Sequence, residues 1–201
     1  MSLDQKRDYF NGLAAQWDQL PVPPDAPEKL ARFVRLSVPA DLTAILDAGC
    51  GTGLLLAPLM RSAPACRIVE LDIAAHMLTR SRAKFPGERI THVCADARQL
   101  PFGPSTFDLV LCFNALPHMT PIETALGGLL GCLRPGGRLA VGHLMASEEL
   151  NAFHASIGGV VAGDRLPSAS YLAAVLSGLG AEVIRQEEEA GWYAVEARRR
   201  A

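Results

Sequence analysis

The segment Ile45-Leu46-Asp47-Ala48-Gly49-Cys50-Gly51-Thr52-Gly53 constrains this chain more than any other. An apolar run leads into an acidic residue, then into three glycines at alternate positions, then into a helix-compatible stretch from Leu54. Glycines at such a turn permit backbone angles closed to other residues and let a ligand approach the main chain. The spacing is not the G-x-x-x-x-G-K-[ST] of a nucleotide-binding P-loop. Nor is it the G-x-G-x-x-G of dinucleotide enzymes, because Leu54 stands where the third glycine would fall. Asp47 argues in the same direction. A carboxylate just before the loop repels a pyrophosphate but suits a ligand bearing an amino group or a sulfonium cation.

Along the rest of the chain, short apolar runs alternate with helix-like stretches, the pattern of an α/β sheet covered on both faces. Strands are expected at Ala44–Leu46, Arg67–Leu71, Ile90–Ala95, Phe107–Cys112 and Arg138–Leu144, with helices at Leu54–Ser62, Ala74–Lys84 and Thr120–Leu133. Ser168–Leu179 reads as a further helix stopped by Gly180. Glu182–Glu187 and Trp192–Ala197 read as two strands joined by a short acidic turn ending in Gly191, a connection that forces antiparallel pairing. Pro135-Gly136-Gly137 is expected to be a turn feeding the fifth strand. The expected architecture is one α/β domain over residues 1–201: a doubly wound, Rossmann-like sheet of seven mostly parallel strands, the last antiparallel, with helices on both faces. Residues 1–40 are expected as a helical cover and residues 145–167 as a lid insert, both over the carboxyl edge, where ligands of open α/β sheets bind.

Acidic residues recur at strand ends. Asp72 and Asp96 follow Asp47 at intervals of 25 and then 24 residues. A carboxylate at the tip of the second strand can accept both hydroxyl protons of a ribose. One at the third can accept from an exocyclic adenine amine.

In order, LDAGCGTG, VELDIAAHML, ADARQLPF, FDLVLCFNALPHM and LRPGGRLAV resemble the motif series of class I S-adenosylmethionine-dependent methyltransferases. The resemblance is strong over Ala44–Leu144, looser beyond it, and nearest to the small-molecule group that includes quinone-biosynthesis C-methyltransferases. The opening Tyr9-Phe10-Asn11-Gly12-Leu13-Ala14-Ala15-Gln16-Trp17-Asp18 also resembles that group's N-terminal helix. It implies S-adenosylmethionine as cofactor. Asp47 and the Gly49-Cys50-Gly51 backbone would hold its methionine moiety and Asp72 its ribose, with Ile73 and Met77 against the adenine. Asp96 and the Ala97 amide would reach the adenine edge, and Asn114 would lie near the sulfonium. Two departures stand out: Glu70, where the family often has glycine and whose side chain is expected in solvent, and Ala74, where serine is common.

The implied reaction is methyl transfer to a small organic acceptor; the alternative is a non-catalytic S-adenosylmethionine-binding sensor or scaffold of the same fold. A third reading, a polyamine-type transferase using a decarboxylated cofactor, would need acidic residues for an amine, and Glu148 and Glu149 are the local hint. If the acceptor must lose a proton, histidine is the natural base. His118, after the fourth strand, is the first candidate and His143, ending the fifth, the second. His154 in the insert is also placed for it, whereas His76 and His92 are expected to pack or face solvent. Trp17 and Tyr9 could line the same pocket. Cys50 fits the turn as a small apolar residue rather than a nucleophile.

Composition bounds the partners. Lys plus Arg (19) against Asp plus Glu (21) gives a net charge of −2 and no internal basic cluster, so no nucleic-acid partner is expected. Asn114-Ala115-Leu116-Pro117 is not the Asn-Pro-Pro-aromatic cluster of amino-methylating nucleic-acid enzymes, and there is no Pro-Cys dipeptide for cytosine C5 chemistry. The five cysteines are widely spaced without a C-x-x-C pair, which fits reduced thiols and no metal site. A polar N-terminus and the lack of a long apolar run lead to the expectation of a cytoplasmic protein with no membrane span. The oligomeric state stays open.

Overall fold

A computed structural model describes residues 2–200. Its sheet contains β1 (Ala44–Ala48), β2 (Arg67–Asp72), β3 (Ile90–Cys94), β4 (Phe107–Phe113), β5 (Leu133–His143), β6 (Ala181–Glu189) and β7 (Trp192–Arg199). The order is β3-β2-β1-β4-β5-β7-β6. Pairings among the first five are parallel, and β7 runs antiparallel to both β5 and β6. The reversed strand is thus not at the edge: the hairpin turn at Gly191 (φ 70°) brings β7 back between β5 and β6.

Alternation along the strands sorts side chains onto two faces. Leu46, Val110, Cys112, Leu139, Val141 and Val195 pack with α5 (Ile122–Gly131), α6 (Ser147–Ile157) and α7 (Ala169–Gly178). Ile45, Ile68, Leu109, Leu111 and Ala140 pack with α2 (Ala26–Ser37) and α3 (Leu56–Ser62). Both faces of the central strands are buried, which parallel pairing requires. Phe33 of α2 is fully buried and its ring lies 4.7 Å from that of Phe113. Gly142 on β5 makes room for this pair, since a Cβ there would press on both rings.

Three expectations change. The N-terminal segment is not wholly a cover, because Leu30, Phe33 and Val34 anchor α2 on a sheet face; only α1 (Leu3–Leu13) and the 3₁₀ turn Trp17–Gln19 reach the carboxyl edge. Pro135–Gly137 lies inside β5, as an irregularity where the β4–β5 register shifts, rather than before it. The insert is a packed unit, with Leu150, Val161 and Leu166 buried. Glu188 of β6 anchors it, accepting the backbone N–H groups of Ser147 at 2.9 Å and Ala169 at 2.7 Å, at the starts of α6 and α7. Asn151 clamps the returning chain through both polar groups of Leu166. Glu149 accepts from Ala146 and Gly191 and so caps a helix.

Truncating the α2 anchor tests this packing. Phe33→Ala is expected to lower unfolding free energy in urea by about 3–5 kcal/mol, the usual cost of emptying a buried aromatic site.

Candidate active site

The sheet order reverses direction on either side of β1, so β1 and β4 part at their carboxyl ends and open the crevice expected at a topological switch point. A cleft of about 710 Å³, its open mouth included, occupies this place. Its walls come from the ends of β1, β2, β3 and β4, from α1 and from Trp17.

The glycine turn forms one wall. Gly49 and Cys50 donate their N–H groups to the Leu71 carbonyl at 2.7 and 3.1 Å, tying the turn to β2. Gly49 adopts φ 75°, and a Cβ there would collide with the Ala115 and Met119 side chains, so only glycine lets the β4 loop close in. Gly51 adopts φ 56°, and a Cβ there would stand in ordinary contact, 3.8 Å from the Trp17 indole nitrogen. Asp72 lines the cleft and accepts the Gly51 N–H at 2.9 Å and the Ala74 N–H at 2.8 Å. Ile73, Met77, Ala97 and Asn114 are also in the wall. Asn114 sits in the left-handed region (φ 53°), and its Oδ1 accepts the Leu144 N–H at 3.0 Å. Asp96 is in the wall but clasped by Arg98 through Nε and Nη2 at 2.8–3.0 Å. Burial pulls its pKa up, but the Arg98 guanidinium outweighs this and holds the carboxyl below its usual range. Arg98 was missed in the sequence. The charge two residues after a strand-end acid was the available signal.

Three predicted residues do not reach the cleft. Cys50 is buried within the turn, with its thiol pushed far up by burial. Asp47 is buried beneath the turn, and its Oδ2 has no hydrogen-bond partner. His143 is buried behind the wall. Its pKa is pulled down to about 3 by burial and by the neighbouring His118 and His154, which makes it a very weak base. Glu70 corrects another expectation: it is fully buried, not solvent-facing. The β1–β2–β3 register aligns Asp47, Glu70 and His92. The Ser81 hydroxyl donates to Glu70, whose Oε2 lies 3.0 Å from His92 Nε2. His76, by contrast, stands on α4 (Ala75–Lys84) and joins it to α1 through Asn11. Tyr9 packs against Phe10 and is not in the wall.

His118 is the histidine that reaches the cleft. It lies in the 3₁₀ turn Leu116–His118, and the Phe10 ring packs edge-on at 5.0 Å. Its Nδ1 is 2.7 Å from Oδ2 of Asp164, a residue no sequence motif singled out. Oδ1 of Asp164 pairs with Lys6 Nζ at 2.6 Å, and Lys6 also donates to the His118 carbonyl. His154 places its Nδ1 3.0 Å from the Asp164 carbonyl, and its ring is 5.2 Å from that of His118.

The Methyltransferase domain family matches residues 46–141. Malonyl-[acyl-carrier protein] O-methyltransferase of Herminiimonas arsenicoxydans is 32% identical over 151 residues, 75% of this chain and 55% of that protein. Demethylmenaquinone methyltransferase of Thermus thermophilus is 38% identical over 112 residues, 55% of this chain and 51% of its own. The chain spans about half the length of the curated relatives it matches. Among solved structures, an S-adenosylmethionine-dependent methyltransferase from Aquifex aeolicus superposes with TM-score 0.73 at 16% identity, covering 94% of this chain and 97% of that one. The fold is that of the class I methyltransferases. The match to the Methyltransferase domain family over residues 46–141 and the order of the motifs make the chain similar to the class I S-adenosylmethionine-dependent methyltransferases.

Glu70 gives the site a pH signature. Burial, helped by the Asp72 charge, outweighs the Ser81 hydrogen bond and Lys84 and raises its pKa to about 7. An acid whose pKa is higher folded than unfolded binds more protons folded, so its contribution to stability falls as pH rises from about 4.5 to about 7. Glu70→Gln is expected to remove that fall. Urea unfolding at pH 5 and pH 8 should show the parent losing stability relative to the variant as pH rises.

Proposed function

We propose that the protein transfers a methyl group from S-adenosylmethionine to a small organic acceptor, with His118 as general base. The observation that carries this reading is the cleft at the β1–β4 parting, where the glycine turn, Asp72 and the Asp164-held imidazole of His118 meet.

The residues present suit this cofactor. Among the described residues no Lys or Arg forms an ion pair with Asp47, Glu70 or Asp72, so the ends of the first two strands gather carboxyl groups that only the more distant Lys84 offsets. Burial raises the pKa of both Asp47 and Asp72. A bound cation relieves the mutual repulsion of these groups, and a phosphate would aggravate it. Asp72 would hold the ribose hydroxyls with the oxygen lone pairs its amide donors leave free. Ile73 and Met77 would flank the adenine, Asp96 and the Ala97 amide would address its edge, and the Gly49–Gly51 backbone with Asn114 would face the methionine part. Asp47 would act from behind the turn through its field. Bound there, S-adenosylmethionine supplies an electrophilic methyl carbon and leaves as a neutral thioether.

What the protein adds is alignment and dryness. Phe10, Trp17 and Met119 give the acceptor side apolar walls. Residues 145–167 and the N-terminal residues up to Gln19 would act as the cover that excludes water. The acceptor is small in this reading, in keeping with a cleft of about 710 Å³ that the cofactor would share and with a net charge of −2.

Isothermal titration with S-adenosylmethionine, paired with a screen for S-adenosylhomocysteine release across acceptors, tests the reading. Asp72→Ala is expected to weaken binding by about 1–3 kcal/mol, the loss of hydrogen bonds to a charged group. His118→Gln is expected to slow turnover by about 10²–10⁴-fold with cofactor affinity nearly unchanged. Tight binding without turnover on any acceptor would replace the transferase with a cofactor-binding sensor.

A further inference from the structure

We infer that Asp164 and Lys6 are positioning residues of the acceptor site: Asp164 fixes His118 with its basic nitrogen toward the cleft, and Lys6 locks that carboxylate to the N-terminal helix. This rests on the reading of His118 as the base.

The starting observation is a burial pattern that apolar packing does not explain. Within α1, Lys6 is buried, while the apolar Leu3 and Phe10 remain partly exposed. Burying an ammonium is costly unless it is paired. Here it has Asp164 at 2.6 Å, the His118 carbonyl at 3.1 Å and Thr120 Oγ1 at 3.4 Å. Asp164 comes from the far side of the site, at the end of the insert, and is itself buried. The pair therefore bridges the two segments that flank the cleft, at the point where His118 enters it.

Asp164 sets the tautomer. Burial raises its pKa, but the hydrogen bonds from His118 and Lys6 outweigh this and keep the carboxylate ionised. An ionised carboxylate only accepts, so the His118 Nδ1 2.7 Å away carries a hydrogen in the neutral ring. The lone pair is then on Nε2, the nitrogen free to take an acceptor's proton. That proton passes from the acceptor to Nε2 and later to water, while Asp164 stabilises the interim imidazolium and stays ionised. Lys6 balances the carboxylate in the resting state, so the buried group of Lys6, Asp164 and neutral His118 carries no net charge.

The groups facing His118 are Lys6 and the Phe10 ring from α1, Asp164 and His154 from the insert, and His143 from β5. Burial lowers the His118 pKa, Asp164 raises it, and His154 and Lys6 lower it further. The two positioning residues therefore pull in opposite directions. Simple packing residues would not.

The test needs no acceptor. In protein labelled with ¹⁵N-histidine, long-range ¹H–¹⁵N correlation spectra report both tautomer and pKa of His118, assigned through His118→Gln. The parent is expected to show His118 protonated at Nδ1 when neutral. Asp164→Asn should lower its pKa and Lys6→Met should raise it, each by about half a unit or more. Should Asp164→Asn fail to fold, the parent's tautomer and the direction of the Lys6→Met shift still decide. A parent protonated at Nε2, no displacement, or displacement in one common direction would overturn the inference. Titration with S-adenosylmethionine runs alongside. Retained binding with an unmoved His118 defeats the inference alone, whereas no binding by the parent defeats the reading beneath it.

Discussion

Parallel strand pairing is the constraint on which the rest of this structure depends. Because β1 to β5 run the same way, their carboxyl ends fall on one edge, and the residues that follow them are gathered there whatever their separation in sequence. Reversal of the strand order at β1 then parts two neighbouring ends and leaves a crevice instead of a crossover. The glycine turn, Asp72, the Ala95–Arg98 corner and the Asn114–Met119 loop are all placed by this one arrangement.

The electrostatics of the edge follow. The Asp72 charge raises the pKa of both Asp47 and Glu70, and Glu70 raises that of Asp47, while among the described residues no arginine or lysine forms an ion pair with any of the three. Such a cluster is unfavourable by itself, and a cationic ligand would relieve it. The acceptor side is built differently: Asp164 is answered by Lys6 and His118, and the charges balance within the protein. In the proposed reading, one half of the cleft would take the charged cofactor and the other the acceptor's proton.

Much of this could be read from residues in order. The continuous apolar runs at Ile45-Leu46 and Leu109 to Leu111 mark strands, the three alternate glycines mark the turn, and Ser168 and Gly180 mark the limits of α7, because each rests on interactions within a few residues. Asp72 and Asp96 stood out for the same reason, as acids ending strands. What misled was the orientation of single side chains. Glu70 reads as a polar residue that should face water, yet its place between Asp47 and His92 in the register buries it. His118 and His143 read as first and second candidates from their places after neighbouring strands, and depth behind the wall removes His143.

The sequence by itself determined the order of elements, the glycine turn and the strand-end acids, since local backbone preferences and side-chain periodicity specify them. Tertiary structure alone decided that Lys6, His118 and Asp164 meet, across separations of 112 and 46 residues that no local pattern spans. It also decided which carboxylates stay unpaired. Pairing over such distances depends on where the sheet, α1 and the insert come to rest, and that follows from packing of the whole core.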